Sequence, residues 1–333
     1  MANEIQLKLL NEHGRKEIFL SLARVPGSSR VLCGASDGNV YDLDPLAEKP
    51  EFKALGGHAS FVTGVAIAGE LLISGGYDGK LLWRKLGGGE IVHTVESAHS
   101  KWIRKLAASP DGKLVASVAD DMACRVWEAE SAKKLHELRG HDEQTPNHFP
   151  SMLYTCAFSA DGRQLATADK VGRICLWDAA SGNKLRQLDA PGFYTWDPKQ
   201  RIHSIGGTRA VAFSPDGKQL VAGGIGTIGN IDHLDGPARV ELFEAESGQS
   251  QHVFSGDAKG LVEQVLFHPE GKWLLAVGGD NGGLIQAYDL AEKKVTRSDK
   301  APMHIHAAAL NDDASRLFAA GHGKIAVWEI AST

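Results

Sequence analysis

The chain has 333 residues, 43% of them hydrophobic and 23% charged, with a formal net charge of −5. That acidic balance argues against a phosphate-binding surface and so against a nucleic-acid partner. No apolar run reaches the roughly 18 residues that a membrane-spanning helix needs.

In chain order, the start Met1-Ala2-Asn3-Glu4 lacks the basic and apolar segments of a secretory signal. Ile5-Gln6-Leu7-Lys8-Leu9 then alternates apolar and polar residues, which predicts a strand. Cys33, Cys124, Cys156 and Cys175 sit in apolar strand-like runs and form no CxxC pair. They read as buried free thiols in a reducing, cytoplasmic setting.

From there the chain repeats itself. An aromatic residue closes a short apolar strand at Tyr41, Trp83, Trp127, Trp177, Phe243, Tyr288 and Trp328, at intervals of 42, 44, 50, 66, 45 and 40 residues. A turn phrase precedes most of these: Ser109-Pro110-Asp111-Gly112, Ser159-Ala160-Asp161-Gly162, Ser214-Pro215-Asp216-Gly217 and His268-Pro269-Glu270-Gly271. Pro presets φ in such a turn, and Gly accepts the left-handed conformation. Each copy therefore reads as strand, tight turn, strand. Gly57-His58, Ala98-His99 and Gly140-His141 stand before new units. A period of about 40–45 residues is that of a four-stranded propeller blade. The expectation is an all-β, seven-bladed β-propeller of four-stranded antiparallel blades, forming one domain over residues 1–333. Residues 5–10 are expected to pair with residues 325–330 and so complete the last blade, hiding edges that would otherwise be exposed.

The period and motif order resemble the WD-repeat (WD40) family over essentially the whole chain, in the compact style of its bacterial members. The resemblance implies hydrogen-bonded tetrads that are structural rather than catalytic. His58, Ser74, Asp78 and Trp83 match one, and His99, Ser117, Asp121 and Trp127 match another. His141, Thr167 and Trp177 match a third, in which Val171 stands at the Asp position and Asp169 is the available substitute.

Three segments exceed the repeat: 142–152, 189–208 and 225–238. In a propeller all three connections emerge on one face, conventionally the top. Long loops on a rigid scaffold are where binding residues concentrate. The candidate ligand-binding residues there are His148 and Phe149 in the first, Phe193, Tyr194, Trp196 and Asp197 in the second, and Asp232 and His233 in the third. The competing role for the same aromatics is packing the loops onto the propeller body. At the mouth of the central channel the unit alignment places Phe61, Trp102, Met152, Leu261 and His304.

These features describe a scaffold that binds an unidentified protein or peptide as a monomer, with no cofactor, metal or catalytic residue. The alternative is a metal-dependent hydrolase or a metal- or small-molecule-binding propeller with its site at the channel mouth. His304-Ile305-His306 puts two imidazoles on one strand face, and His148, His203, His233 and Asp232 could contribute from the insertions. No HExxH, Gly-x-Ser-x-Gly or P-loop pattern is present.

Overall fold

The repeated turns explain the hairpins. In Ser109–Gly112 the Ser109 hydroxyl donates to Asp111 at 2.6 Å, Asp111 accepts the Lys113 N–H, and Gly112 takes φ +69°. A side chain at Gly112 would be strained, which is why the turn uses glycine. Ser159 with Asp161 and Ser214 with Asp216 repeat the hydroxyl–carboxylate bond at 2.6 Å. Each turn joins two short apolar strands whose side chains bury on both faces, as in Val115–Ala119 and Leu165–Asp169.

The computed structural model describes residues 5–199, 204–229, 236–254 and 256–332. Among these, five four-stranded antiparallel sheets span residues 62–95, 103–138, 153–189, 208–254 and 261–301. A sixth, six-stranded sheet runs in the order Ile305–Leu310, Arg316–Ser332, Ile5–Arg24, Val31–Ala35, Val40–Leu43, Lys53–Leu55. A two-stranded ribbon, Tyr194–Trp196 with Ser204–Gly206, lies outside the blades. The architecture is thus an all-β propeller of six blade sheets. This corrects the expectation of seven separate four-stranded blades.

The reason lies in the first strand. Ile5–Arg24 pairs with Arg316–Ser332 at one end, Ile5 opposite Ser332 and Leu9 opposite Trp328. It continues without a break to pair with Val31–Ala35, Leu22 opposite Cys33. The polar stretch after Leu9 has no apolar alternation, yet it stays in the ladder, Asn11 opposite Val327 and Gly14 opposite Lys324. Its side chains find partners as well. Asn11 Nδ2 donates to the Pro45 carbonyl at 3.0 Å, His13 Nε2 lies 2.8 Å from the same oxygen, and Arg15 pairs with Glu17 at 3.0 Å. The first and last repeat units therefore share one sheet.

The core lies between neighbouring sheets. Ile5 is fully buried against Trp273, Ile305 and Trp328. Burying a side chain of that size stabilises by roughly 1.5–3 kcal/mol. The four cysteines are buried free thiols. Burial pushes the Cys156 thiol up to about 12, where it is unreactive at neutral pH. The first strands of neighbouring units pack on one another around the central channel.

Candidate functional site at the channel mouth

Each inner strand carries a β-bulge at the end that faces the channel mouth. Among the described residues, the ladder skips one residue in every such strand: Leu20, Thr63, Arg104, Tyr154, Arg209, Glu263 and His306. A bulge leaves one residue out of the ladder and re-aims its side chain. All seven of these side chains line one cavity of about 240 Å³ at the channel mouth, together with Tyr77 and Lys105. The bulges thus convert the ends of the inner strands into a ring of chemically mixed groups.

The ring is charged. Arg104 Nε and Nη2 bind the two Asp120 oxygens at 2.7 and 2.6 Å, and Nη1 donates to the Tyr77 hydroxyl at 2.9 Å. Burial alone would lower the Arg104 pKa, but the bond to Asp120 outweighs it and the guanidinium is held more firmly charged. Arg209 lies over the Tyr154 ring, 3.6 Å from its centroid. Burial lowers the proton affinity of Lys105. In the same ring Glu263 contacts His304 and His306 at 3.3 and 3.7 Å. Burial would raise the Glu263 pKa. Hydrogen bonds with the two histidines and the charge of Arg209 outweigh that, and the carboxyl is held well below its ordinary range.

An aromatic stack rises beside the cavity. Phe61 stacks on Tyr77 at 5.5 Å, and Tyr77 on Trp102 at 4.2 Å. Phe61 is 41% exposed and Trp102 49%. The Arg104 guanidinium sits 5.2 Å from the Tyr77 ring centre and 5.3 Å from that of Trp102. Met152 receives the Tyr154 hydroxyl on sulfur at 3.1 Å and lies 3.8 Å from Arg104 Nη2. Aromatic and cationic groups therefore form one continuous band from Phe61 to Arg209.

The histidine networks fix the loops around this band. His99 lies 2.7 Å from Ser117 Oγ and 3.0 Å from Asp121, and Trp127 Nε1 donates to the same Ser117 oxygen at 2.9 Å. His141 lies 2.8 Å from both Thr167 and Asp169, and Trp177 Nε1 donates to Thr167 at 2.9 Å. His58 contacts Ser74 at 2.9 Å and Asp78 at 3.1 Å, but Trp83 Nε1 is buried without a partner. Trp83 instead packs edge-on against Trp127. The aspartates turn these networks into loop anchors: Asp78 and Asp121 accept the backbone N–H groups of Ala59 and Ser100. Those two residues precede Phe61 and Trp102.

The insertions meet one another. The Tyr194 hydroxyl donates to Asn147 at 3.1 Å, Phe149 lies 5.3 Å from Trp196, and Ile228 N–H donates to Thr195 at 3.0 Å. His148 is exposed, with φ +63°, and Trp196 is 37% exposed. Asp197 caps the Lys199 N–H at 2.8 Å. Phe193 is different: it is fully buried among Val211, Leu220 and Phe243, so it anchors its loop to the core and offers nothing to a ligand. Leu261 likewise packs on Ile225 and Ile228 under the third insertion. Asp232, His233 and His203 lie outside the described residues. Sequence reasoning named His306 beside His304 as a candidate metal ligand but missed Arg104, Tyr154 and Glu263 at the mouth. Their signal is simple in retrospect: each stands two residues after Trp102, Met152 and Leu261 respectively.

Comparison with known proteins agrees with this geometry. The family model described as "WD domain, G-beta repeat" matches residues 89–128, 132–178 and 248–285. Meiotic recombination protein rec14 of Schizosaccharomyces pombe is 29% identical over 226 residues, covering 67% of this chain and 64% of that protein. Apoptotic protease-activating factor 1 of Rattus norvegicus is 32% identical, covering 66% of this chain and 15% of that protein. Eukaryotic translation initiation factor 3 subunit I of Candida albicans is 27% identical, covering 61% and 52%. The chain thus spans less than two thirds of the length of these relatives. All three are eukaryotic, so a bacterial type is not supported. The family model and these relatives support the WD40 repeat family for this chain.

Proposed function

We propose that the chain is a protein-binding scaffold that receives a peptide segment of its partner on the top face, over the channel mouth. The observation that carries this reading is the Phe61–Tyr77–Trp102 stack, with its exposed outer rings, at the rim of a polar cavity. Exposed aromatics beside an arginine are the side chains that dominate binding energy at protein interfaces. The stack needs no rearrangement to offer its faces, because Asp78 and Asp121 anchor the loops that carry it. In this reading the chain performs no chemistry of its own, acts as a monomer and works in the reducing cytoplasm.

The relatives' names include an initiation-factor subunit and a protease-activating factor, which fits a module that serves inside assemblies. The test is selection of peptides from a displayed random library on the folded chain, followed by calorimetry on the enriched sequences. Peptides that bind the wild type and lose affinity on Trp102→Ala and Phe61→Ala would support the reading. Enriched peptides that bind both variants unchanged would move the site off this face.

A further inference from the structure

One cluster at the channel mouth is not used by the aromatic stack. Glu263, His304 and His306 bring three metal-ligating atoms within 4.8 Å of one another. Glu263 Oε1 lies 3.3 Å from His304 Nε2 and 3.7 Å from His306 Nδ1. Zinc binds nitrogen and carboxylate oxygen at about 2.0–2.2 Å, which puts tetrahedral donors about 3.3–3.5 Å apart. Two edges of such a tetrahedron are therefore nearly in place.

The surroundings of His304 sharpen the point. Its Nδ1 lies 3.1 Å from the Asp280 backbone carbonyl. A carbonyl only accepts, so Nδ1 carries the proton and donates it there. The Nε2 of the neutral ring then turns a lone pair toward a carboxylate oxygen. Two acceptors at that distance need a cation between them, either a second proton on the ring or a metal ion. A backbone carbonyl behind one nitrogen is also the usual support of a metal-bound histidine. His306 is not committed elsewhere, since its Nε2 is buried with no hydrogen-bond partner. His322 stacks on His304 at 5.3 Å and lies 4.8 Å from His306, adding a third imidazole at the rim.

The backbone holds the donors firmly. Glu263 and His306 are the bulge residues of neighbouring inner strands, and His304 leads into the second of these. Two imidazoles and one carboxylate suit zinc and its transition-metal neighbours rather than calcium or magnesium, which prefer all-oxygen sets. Glu263 and His306 also line the mouth cavity, which Lys105 and Arg209 share. A bound ion would keep a coordination position open toward that space.

We infer that Glu263, His304 and His306 form a binding site for one zinc-type divalent cation at the channel mouth, open to the cavity beside it. The experiment is a zinc titration of the chelator-treated full chain by calorimetry, with thermal unfolding of every variant with and without zinc. The wild type should take up a single tight equivalent and unfold at higher temperature when it is present, because a ligand of the native state stabilises it. His304→Gln, His306→Ala and Glu263→Gln should each lose that equivalent and the thermal shift. His93→Gln, on an outer strand, should keep both. Should Glu263→Gln fail to fold, the two histidine variants decide. Absence of tight zinc uptake by the wild type overturns the proposal, as does an unchanged equivalent in folded His304→Gln and His306→Ala.

Discussion

Tyr77 lies flat against Trp102, their ring centroids 4.2 Å apart and their planes 6° from parallel. The pair is held from the side by Arg104, whose guanidinium lies near both rings and bonds the Tyr77 hydroxyl. Trp102 is therefore positioned while about half exposed. Replacing it with alanine should cost about 1–2 kcal/mol of stability, because only about half of its area is taken from water on folding and its stack on Tyr77 is lost. Affinity for a selected peptide should fall by about 30-fold or more, the penalty typical of a central aromatic anchor. Calorimetry and urea denaturation on the same preparation separate the two effects.

Arg104 should behave in the opposite way. It forms a two-pronged bond with Asp120, and both side chains are largely buried. Arg104→Ala leaves Asp120 without its cation and removes a donor from Tyr77. The expected loss is about 2–3 kcal/mol in urea unfolding. Arg104→Lys should recover little of it, since an ammonium cannot form the planar fork. Full recovery by lysine would show that charge alone matters at this position.

The histidine networks differ in what hangs on the hydroxyl. Ser117 Oγ serves both His99 and Trp127, whereas Ser74 Oγ serves His58 while Trp83 goes without. Ser117→Ala should therefore destabilise by about 2–3 kcal/mol and Ser74→Ala by about 1 kcal/mol, in proportion to the buried groups left unsatisfied. Equal losses in chemical denaturation would contradict this division.

His141 supplies a pH dependence. Burial would lower its pKa from 6.5, but the hydrogen bond to Asp169 outweighs that and raises it to about 9. A raised folded-state value means the native state binds the proton more tightly. The stabilisation is complete below pH 6.5 and disappears as pH climbs through 9. The wild-type melting temperature should decline across that window more steeply than that of His141→Asn. His99 moves the other way: burial lowers its pKa, with Arg125 acting in the same direction against the pull of Asp121. Parallel melting curves for the wild type and His141→Asn across the window would show that the His141 proton contributes nothing.

The propeller itself was legible because its units repeat a local instruction. Ser-Pro-Asp-Gly makes a turn wherever it falls, and an aromatic closes each third strand. The number of sheets was not legible. It depends on residues 11–17, whose polar side chains carry no strand pattern although residues 11–14 pair with Lys324–Val327 and side chains bind the distant Pro45 carbonyl and form the Arg15–Glu17 pair. The mouth divides in the same way. Phe61 and Trp102 stand at fixed offsets from His58 and His99, and offsets can be counted. Arg104, Arg209 and Glu263 reach the cavity through bulges, and a bulge breaks the two-residue alternation on which strand faces are read. Phe193 shows the remaining difficulty. Composition does not distinguish an aromatic that anchors a loop from one that meets a ligand, and only its burial in the core settles the role.

The shared sheet also has a mechanical side. Ile5 faces Ser332 across an antiparallel ladder, so the two ends of the described chain emerge together. A force that draws those ends apart meets the hydrogen bonds between Ile5–Leu9 and Trp328–Ser332 one after another, as a zip does, instead of loading them all at once in shear. Tethering through both ends would make that seam the first part of the ring to give way, while a load borne between the top face and either end would leave it closed.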